Sequence, residues 1–350
     1  MLKGLLIGCG MIAREHLAAM SDLKNAEMTA VCDLSPARAE ATAERFGIAK
    51  WGTDYEQLLA EIKPDLVHIT TPPAAHFPIA KTCLEAGFNV LCEKPITIEY
   101  QQFATLKELA AKGGRMFMEN QNFRFHSSVR QISEFANSGE LGDVVDVQIV
   151  IALDIYGKGS PYIDPNAPHF GTVLRGGVIG DFLPHIAYLA HMFAGSVAEL
   201  STVWGKRNAN CPFEADEFRA LIKGERATGF VSFSGNAQPN GFWLRVAGTK
   251  MYVEANLFET PRMTIRRLRA GEPAIASVIN GLAESRDVLR GTFGGFWRKL
   301  AGTGSYDGLP EVIARTYKAI ETAQPQPVSL EDIDAAAKLV DRFTSADARL

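Results

Sequence analysis

A glycine-bounded turn near the N-terminus sets the terms for the rest of the chain. Leu2–Ile7 is an apolar run, Gly8-Cys9-Gly10-Met11-Ile12-Ala13 follows it, and Ile12–Leu23 carries apolar residues at helical spacing. The turn is a G-x-G-x-x-A pattern between a strand and a helix. Each small residue has a physical reason in a dinucleotide-binding unit. Gly8 permits the tight turn, Gly10 admits a pyrophosphate against the backbone, and Ala13 lets helix and strand pack closely. The helix opening at Met11 and Ile12 points unpaired N–H groups and its positive dipole end at the phosphates. Alone, such a pattern is common. A second element supports it here: Asp33 lies 23 residues past Gly10, closing the apolar run Met28–Cys32, where a carboxylate binds ribose hydroxyls. The competing reading is a structural glycine turn with an ordinary capping aspartate.

Asp33 also bears on the cofactor. A 2′-phosphate held about 4 Å from that carboxylate is repelled by roughly 4 kcal/mol per charge pair at an effective dielectric near 20. NAD is therefore expected rather than NADP. Arg38, on the next helix, reads as a solvated charge, with a contact to a 2′-phosphate as the other reading.

Strands and helices alternate through residues 1–120. Pro36–Phe46, Tyr55–Ile62, Ala74–Ala86 and Ile98–Ala111 read as helices; Leu66–Thr70, Asn89–Cys92 and Met116–Met118 read as strands. This order predicts a parallel sheet covered on both faces. Hydrophobic residues make up 47% of the 350-residue chain and charged residues 22%, which excludes a mostly disordered protein. A net charge of −4 gives no support to nucleic-acid binding. No apolar run reaches the ~18 residues of a membrane span. Cys9, Cys32, Cys83, Cys92 and Cys211 are scattered without a CxxC pair. They read as buried thiols in a reducing compartment, so the cytoplasm is the expected address and no metal site is expected.

From about Val144 the pattern changes. Val144–Leu153, Ala198–Gly205, Phe218–Ile222, Ala227–Phe233, Phe242–Ala247 and Lys250–Val253 read as strands of a mostly antiparallel sheet. Leu309–Thr322 and Leu330–Ser345 read as closing helices. Pro161, Pro165 and Pro168 mark Ser160–Thr172 as a long irregular loop, and Tyr162, His169 and Arg175 in or just after it are candidate substrate contacts. Residues 284–308, with Phe293, Phe296, Trp297, Arg298 and Lys299, read as an interface or lid, or as ordinary surface.

Two further segments carry chemistry. Val90-Leu91-Cys92-Glu93-Lys94-Pro95 places a Glu-Lys-Pro triplet at the C-terminal end of a strand, where ligands bind in open α/β sheets. In Gly176-Gly177-Val178-Ile179-Gly180-Asp181-Phe182-Leu183-Pro184-His185, Asp181 and His185 share one face of a helix. Pro184 is then expected in the first helical turn, where proline is tolerated.

With Thr71-Pro72-Pro73-x-x-His76 added, these motifs resemble the Gfo/Idh/MocA family, relatives of glucose–fructose oxidoreductase and inositol 2-dehydrogenase. The likeness covers nearly the whole chain, most densely residues 4–125 and 176–195. It implies an α/β protein. An N-terminal Rossmann dinucleotide-binding domain would span 1–121. A C-terminal α/β domain with a large open, mostly antiparallel sheet would span 122–350 and bind substrate and build a homodimer or homotetramer. By position, the resemblance makes Lys94, Asp181 and His185 catalytic. It places Thr71, Pro72, His76, Glu93 and Lys94 along the cofactor cleft, beside Gly8, Gly10, Met11, Ile12 and Asp33, and brings Asn122 and Arg124 toward the substrate. The implied activity is NAD(P)-dependent hydride transfer at a hydroxyl carbon of a sugar, inositol or sugar derivative. Two rivals are a glycoside hydrolase acting by transient oxidation on NAD and a catalytically silent NAD-binding regulator. The retained Lys94, Asp181 and His185 speak against the regulator.

Overall fold

The computed structural model describes residues 1–164, 169–259, 262–266 and 306–345, with isolated positions between 275 and 289. Pro165 and Pro168, and the aromatic and basic residues Phe293, Phe296, Trp297, Arg298 and Lys299, lie outside the described residues. The chain divides into two compact units, Met1–Asn122 with Gly308–Ala337, and Phe123–Asp307 with Lys338–Leu350.

The first unit alternates β1 (Leu2–Ile7), α1 (Met11–Ser21), β2 (Ala26–Cys32), α2 (Pro36–Phe46), β3 (Lys50–Gly52), α3 (Tyr55–Ile62), β4 (Leu66–Ile69), α4 (His76–Glu85), β5 (Val90–Cys92), α5 (Tyr100–Gly113) and β6 (Phe117–Glu119). Local chemistry fixes the helix ends. Ser35 caps α2 by accepting from the Arg38 N–H, Pro36 opens the helix, and Gly47 closes it in the left-handed conformation at φ 66°. Asp54 caps α3 through the Glu56 and Gln57 N–H groups. The strands form one parallel sheet in the order β3-β2-β1-β4-β5-β6. Leu5, Leu6, Leu66, Val67, Val90 and Leu91 are fully buried, as strands covered on both faces must be. Each contributes about 2 kcal/mol of apolar transfer. The order reverses between β1 and β4, which opens a crevice at the C-terminal strand ends. Gly8, Asp33, Thr71, Glu93 and Lys94 all follow those ends.

The second unit contains α6 (Ser127–Asn137), β7 (Val144–Ala152), α7 (Val178–Ala194), β8 (Val197–Gly205), β9 (Glu217–Gly224), β10 (Thr228–Ser234), β11 (Gly241–Gly248), β12 (Tyr252–Asn256) and β13 (Arg262–Arg266). Its sheet runs β13-β12-β11-β7-β10-β9-β8, with β7 and β10 parallel and the other neighbours antiparallel. Helix α7 covers one face, burying Val147, Ile149 and Ile151 of β7. The opposite face leaves Val203, Leu221 and Phe230 exposed.

Two helices close the chain, α8 (Leu309–Glu321) and α9 (Leu330–Thr344). The expected boundary at 121/122 assigned both to the second domain. The structure instead groups Gly308–Ala337 with the first unit, because α8 packs on α1 and Tyr317 reaches His68 of β4. Pro184 also differs from expectation. Helix α7 starts at Val178, so the proline sits inside the helix rather than in its first turn. Its missing N–H falls opposite Gly180, the residue four positions back, where a side chain would meet the Arg175 carbonyl at 2.3 Å.

Candidate active site

Gly8 adopts φ 100°, and a Cβ there would lie 2.7 Å from the Thr71 backbone nitrogen. Glycine is therefore required by both conformation and contact. Gly10 is different: a Cβ on it would meet no atom of the described residues within 4 Å. The space before the N-terminus of α1 is open, and Gly10 has no packing reason of its own. Thr71 presents a second loose end, a buried Oγ1 with no hydrogen-bond partner among the described residues. The exposed side chains of Met11 and Leu34 flank the same strand ends. Ile12 stands beside Met11 in the first turn of α1.

Asp33 follows β2 and is held from both sides. Its Oδ2 accepts from the Cys9 N–H at 2.8 Å, and its Oδ1 accepts from the Ser35 N–H at 2.9 Å. Arg38 Nη1 lies 3.7 Å from Oδ2, with a side chain 61% exposed, so the arginine pairs loosely with the carboxylate as well as meeting solvent.

The loop after β5 is gripped residue by residue. The Lys94 N–H donates to Glu93 Oε2 at 3.2 Å, and the Ile96 N–H donates to Glu119 Oε1 at 3.1 Å. His76 Nδ1 lies 2.8 Å from the Pro95 carbonyl and Nε2 lies 2.9 Å from the Thr71 carbonyl; the one N–H of a neutral ring donates to one of the two, and the ring contacts both. It braces two loops, which accounts for its burial, and burial lowers its pKa. Pro72, beside Thr71, is exposed. Burial acts to raise the Glu93 pKa, but hydrogen bonds from His16 and Asn120 and the Lys94 charge outweigh it and hold the carboxyl below its ordinary value. At Glu119 burial wins and pushes the carboxyl up.

In the second unit, Asp181 and His185 project from α7 and are both buried. His185 Nδ1 lies 2.8 Å from Tyr188 Oη, which also accepts from the Phe123 N–H at 3.1 Å. Phe123 stands edge-on to the His185 ring, with centroids 4.8 Å apart. Burial, then the Asp181 charge, raises the pKa of Tyr162, so this phenol and Asp181 are electrostatic neighbours. Tyr162 also packs on His169 at 4.7 Å between ring centroids. His169 caps a short turn by accepting from the Gly171 N–H. Arg175 faces Asp341 at 4.0 Å in an exposed pair, the kind worth little in stability. Asn122 is buried and opens the turn Asn122–Phe125 that contains Arg124.

The structure thus joins Gly8, Gly10, Asp33, Thr71, His76, Glu93 and Lys94 in the first unit. It joins Asp181, His185 and Tyr162 in the second. Sequence reasoning missed Tyr188, whose one signal was its i+3 spacing from His185. It also missed His16 and Asn120, which touch Glu93 from distant parts of the chain.

Residues 2–121 match the family model described as an oxidoreductase family with an NAD-binding Rossmann fold, and residues 129–254 match that family's C-terminal domain model. The chain belongs to the Gfo/Idh/MocA family. Among relatives of this family member, D-apiose dehydrogenase of Paraburkholderia graminis is 27% identical over 59% of this chain and 53% of its own. D-xylose 1-dehydrogenase (NADP(+)) 2 of Haloferax volcanii is 27% identical over 97% of this chain and 95% of its own. Inositol 2-dehydrogenase of Salmonella paratyphi B is 32% identical over 40% of this chain and 43% of its own. The match spans about half or less of the length of the first such relatives. Levoglucosan dehydrogenase, solved with NADH, superposes with a TM-score of 0.79 at 19% identity, covering 99% of this chain and 98% of the other. At that identity the likeness concerns the fold.

Proposed function

We propose that this chain transfers a hydride between NAD(H) and a hydroxyl-bearing carbon of a sugar, inositol or sugar derivative. The observation that carries the reading is the open space at Gly10, set between a helix N-terminus and Asp33 at the reversal point of a parallel sheet. The residues fit the cofactor. Gly8, Gly10 and the first N–H groups of α1 at Met11 and Ile12 would hold the pyrophosphate. Asp33 would hold the ribose hydroxyls, with Met11 and Leu34 as apolar contacts for the rings. Thr71, Pro72 and Glu93 would line the cleft, with His76 bracing it. When bound, the nicotinamide supplies the hydride acceptor or donor.

The chain's own residues manage the proton. With Nδ1–H donating to Tyr188 Oη, His185 keeps its lone pair on Nε2 and takes the alcohol proton there. Lys94 stabilises the developing alkoxide and relays the proton. Asp181 orients the substrate, with Asn122, Arg124, Tyr162, His169 and Arg175 as further contacts. A homodimer or homotetramer in the cytoplasm completes the reading. The exposed Val203, Leu221 and Phe230 on the open sheet face support the association.

Two glycine substitutions test the cofactor site. Gly8→Ala is expected to cost about 3 kcal/mol of folding stability, from the positive φ and the backbone contact together. Gly10→Ala is expected to fold within about 0.5 kcal/mol of wild type. It should nevertheless lose roughly 10- to 100-fold in NAD+ affinity by calorimetry, because its methyl occupies the phosphate space. A Gly10→Ala protein that binds NAD+ as wild type does would contradict the assignment.

A further inference from the structure

A chain of polar side chains runs through the core of the first unit, where apolar residues would pack as well. His16 on α1, His68 on β4 and Tyr317 on α8 are each 0% exposed. His16 Nε2 lies 2.9 Å from Glu93 Oε1, His16 Nδ1 lies 3.0 Å from His68 Nδ1, and His68 Nε2 lies 3.0 Å from Tyr317 Oη. Gly4 of β1 makes room for the last of these, since a Cβ there would meet Tyr317 Oη at 2.5 Å.

Glu93 as a carboxylate only accepts, so His16 donates from Nε2. One proton joins His16 Nδ1 to His68 Nδ1, and one joins His68 Nε2 to Tyr317 Oη. Burial, with His16 beside it, pushes the His68 pKa well down, in keeping with a neutral ring. Every polar atom along the chain is then used. Buried polar groups cost stability unless satisfied in this way, and apolar residues of similar volume would give as stable a core. The network is better explained by where it ends. Glu93 Oε1 takes the His16 and Asn120 donors, and Glu93 Oε2 takes the Lys94 N–H.

We infer that His16, backed by His68 and Tyr317, is a positioning residue for Lys94, acting through the Glu93 carboxylate that holds the lysine's backbone. Its part in turnover rests on the proposed hydride transfer. Within the unit, Glu119 and His76 hold the next two residues of the same loop, so Glu93 is the clamp nearest the lysine.

The test uses the full chain with NAD+ bound and lysines labelled with 13C at Cε, the Lys94 resonance being assigned from Lys94→Arg. In wild type the resonance is expected to be dispersed from those of exposed lysines. In His16→Leu it should collapse toward them. His16→Gln, whose amide can still donate to Glu93, should restore it. In step, kcat should fall roughly 10- to 100-fold in His16→Leu, as expected for a misplaced catalytic group, with NAD+ affinity within about threefold of wild type. A His16→Leu protein of lower melting temperature but unchanged Lys94 resonance would show a merely structural role and overturn the inference. Should His16→Leu not fold, Glu93→Gln serves in its place. It offers one acceptor oxygen to three donors, so the same collapse is expected, and an unchanged resonance overturns the inference equally. Absence of turnover in wild type would count against the proposed function, while the resonance still decides the network.

Discussion

Lys94→Ala and His185→Ala are each expected to lower kcat by about 10²- to 10⁴-fold, the usual worth of a positioned acid–base group. The pyrophosphate and ribose contacts are assigned to Gly8, Gly10 and Asp33, so NAD+ affinity should fall far less than kcat in both, Lys94→Ala included. The two losses should not add in the double variant if the residues act as one relay. His185 has a further control. Tyr188→Phe keeps the ring and removes the hydroxyl that meets Nδ1, so it should cost less than His185→Ala while lowering kcat more than it raises KM. Stopped-flow measurement of nicotinamide reduction checks all of these, and unchanged turnover in Lys94→Ala or His185→Ala would remove that residue from the mechanism.

The second large effect is on cofactor choice. Wild type should prefer NAD+, because a 2′-phosphate near Asp33 meets a carboxylate at a cost of up to about 4 kcal/mol. Arg38, 3.7 Å from Asp33 Oδ2, offsets part of that cost. Asp33→Asn removes the charge and leaves Arg38 as the nearest cation. The ratio of NAD+ to NADP+ affinity should therefore fall by between tenfold and about 10³-fold. NAD+ affinity should itself weaken. Asparagine has one acceptor oxygen for the Cys9 and Ser35 N–H groups that Asp33 now serves with two. Equal binding of both cofactors by wild type would show that Arg38, not Asp33, governs the site.

Much of this site was legible in the sequence because its parts are local. The G-x-G-x-x-A turn, the aspartate after β2 and the Glu-Lys-Pro triplet after β5 each follow a strand of strong apolar character. A parallel sheet then sends all of them to one edge. Helices α2 and α3 were legible to the residue, and in α2 Ser35, Pro36 and Gly47 mark the ends. The elements that escaped lack such signals. Strand β3 has three residues and an exposed Trp51, and it owes its existence to pairing with β2. Helix α6 has a strongly polar face and few buried residues. The network behind Glu93 joins residues 52 and 249 positions apart, and a histidine inside an apolar strand gives no hint of such partners. The placement of α8 with the first unit is likewise set by packing over some three hundred residues of chain.

The most direct test of the account is to mix the purified protein with NAD+ and a panel of sugars, inositols and sugar nucleotides and follow the absorbance of the reduced nicotinamide. Reduction should depend on one class of polyol and be lost in both Lys94→Ala and His185→Ala. Tight NAD+ binding with no reduction by any of these substrates, or hydrolysis of a glycoside without net reduced cofactor, would contradict it.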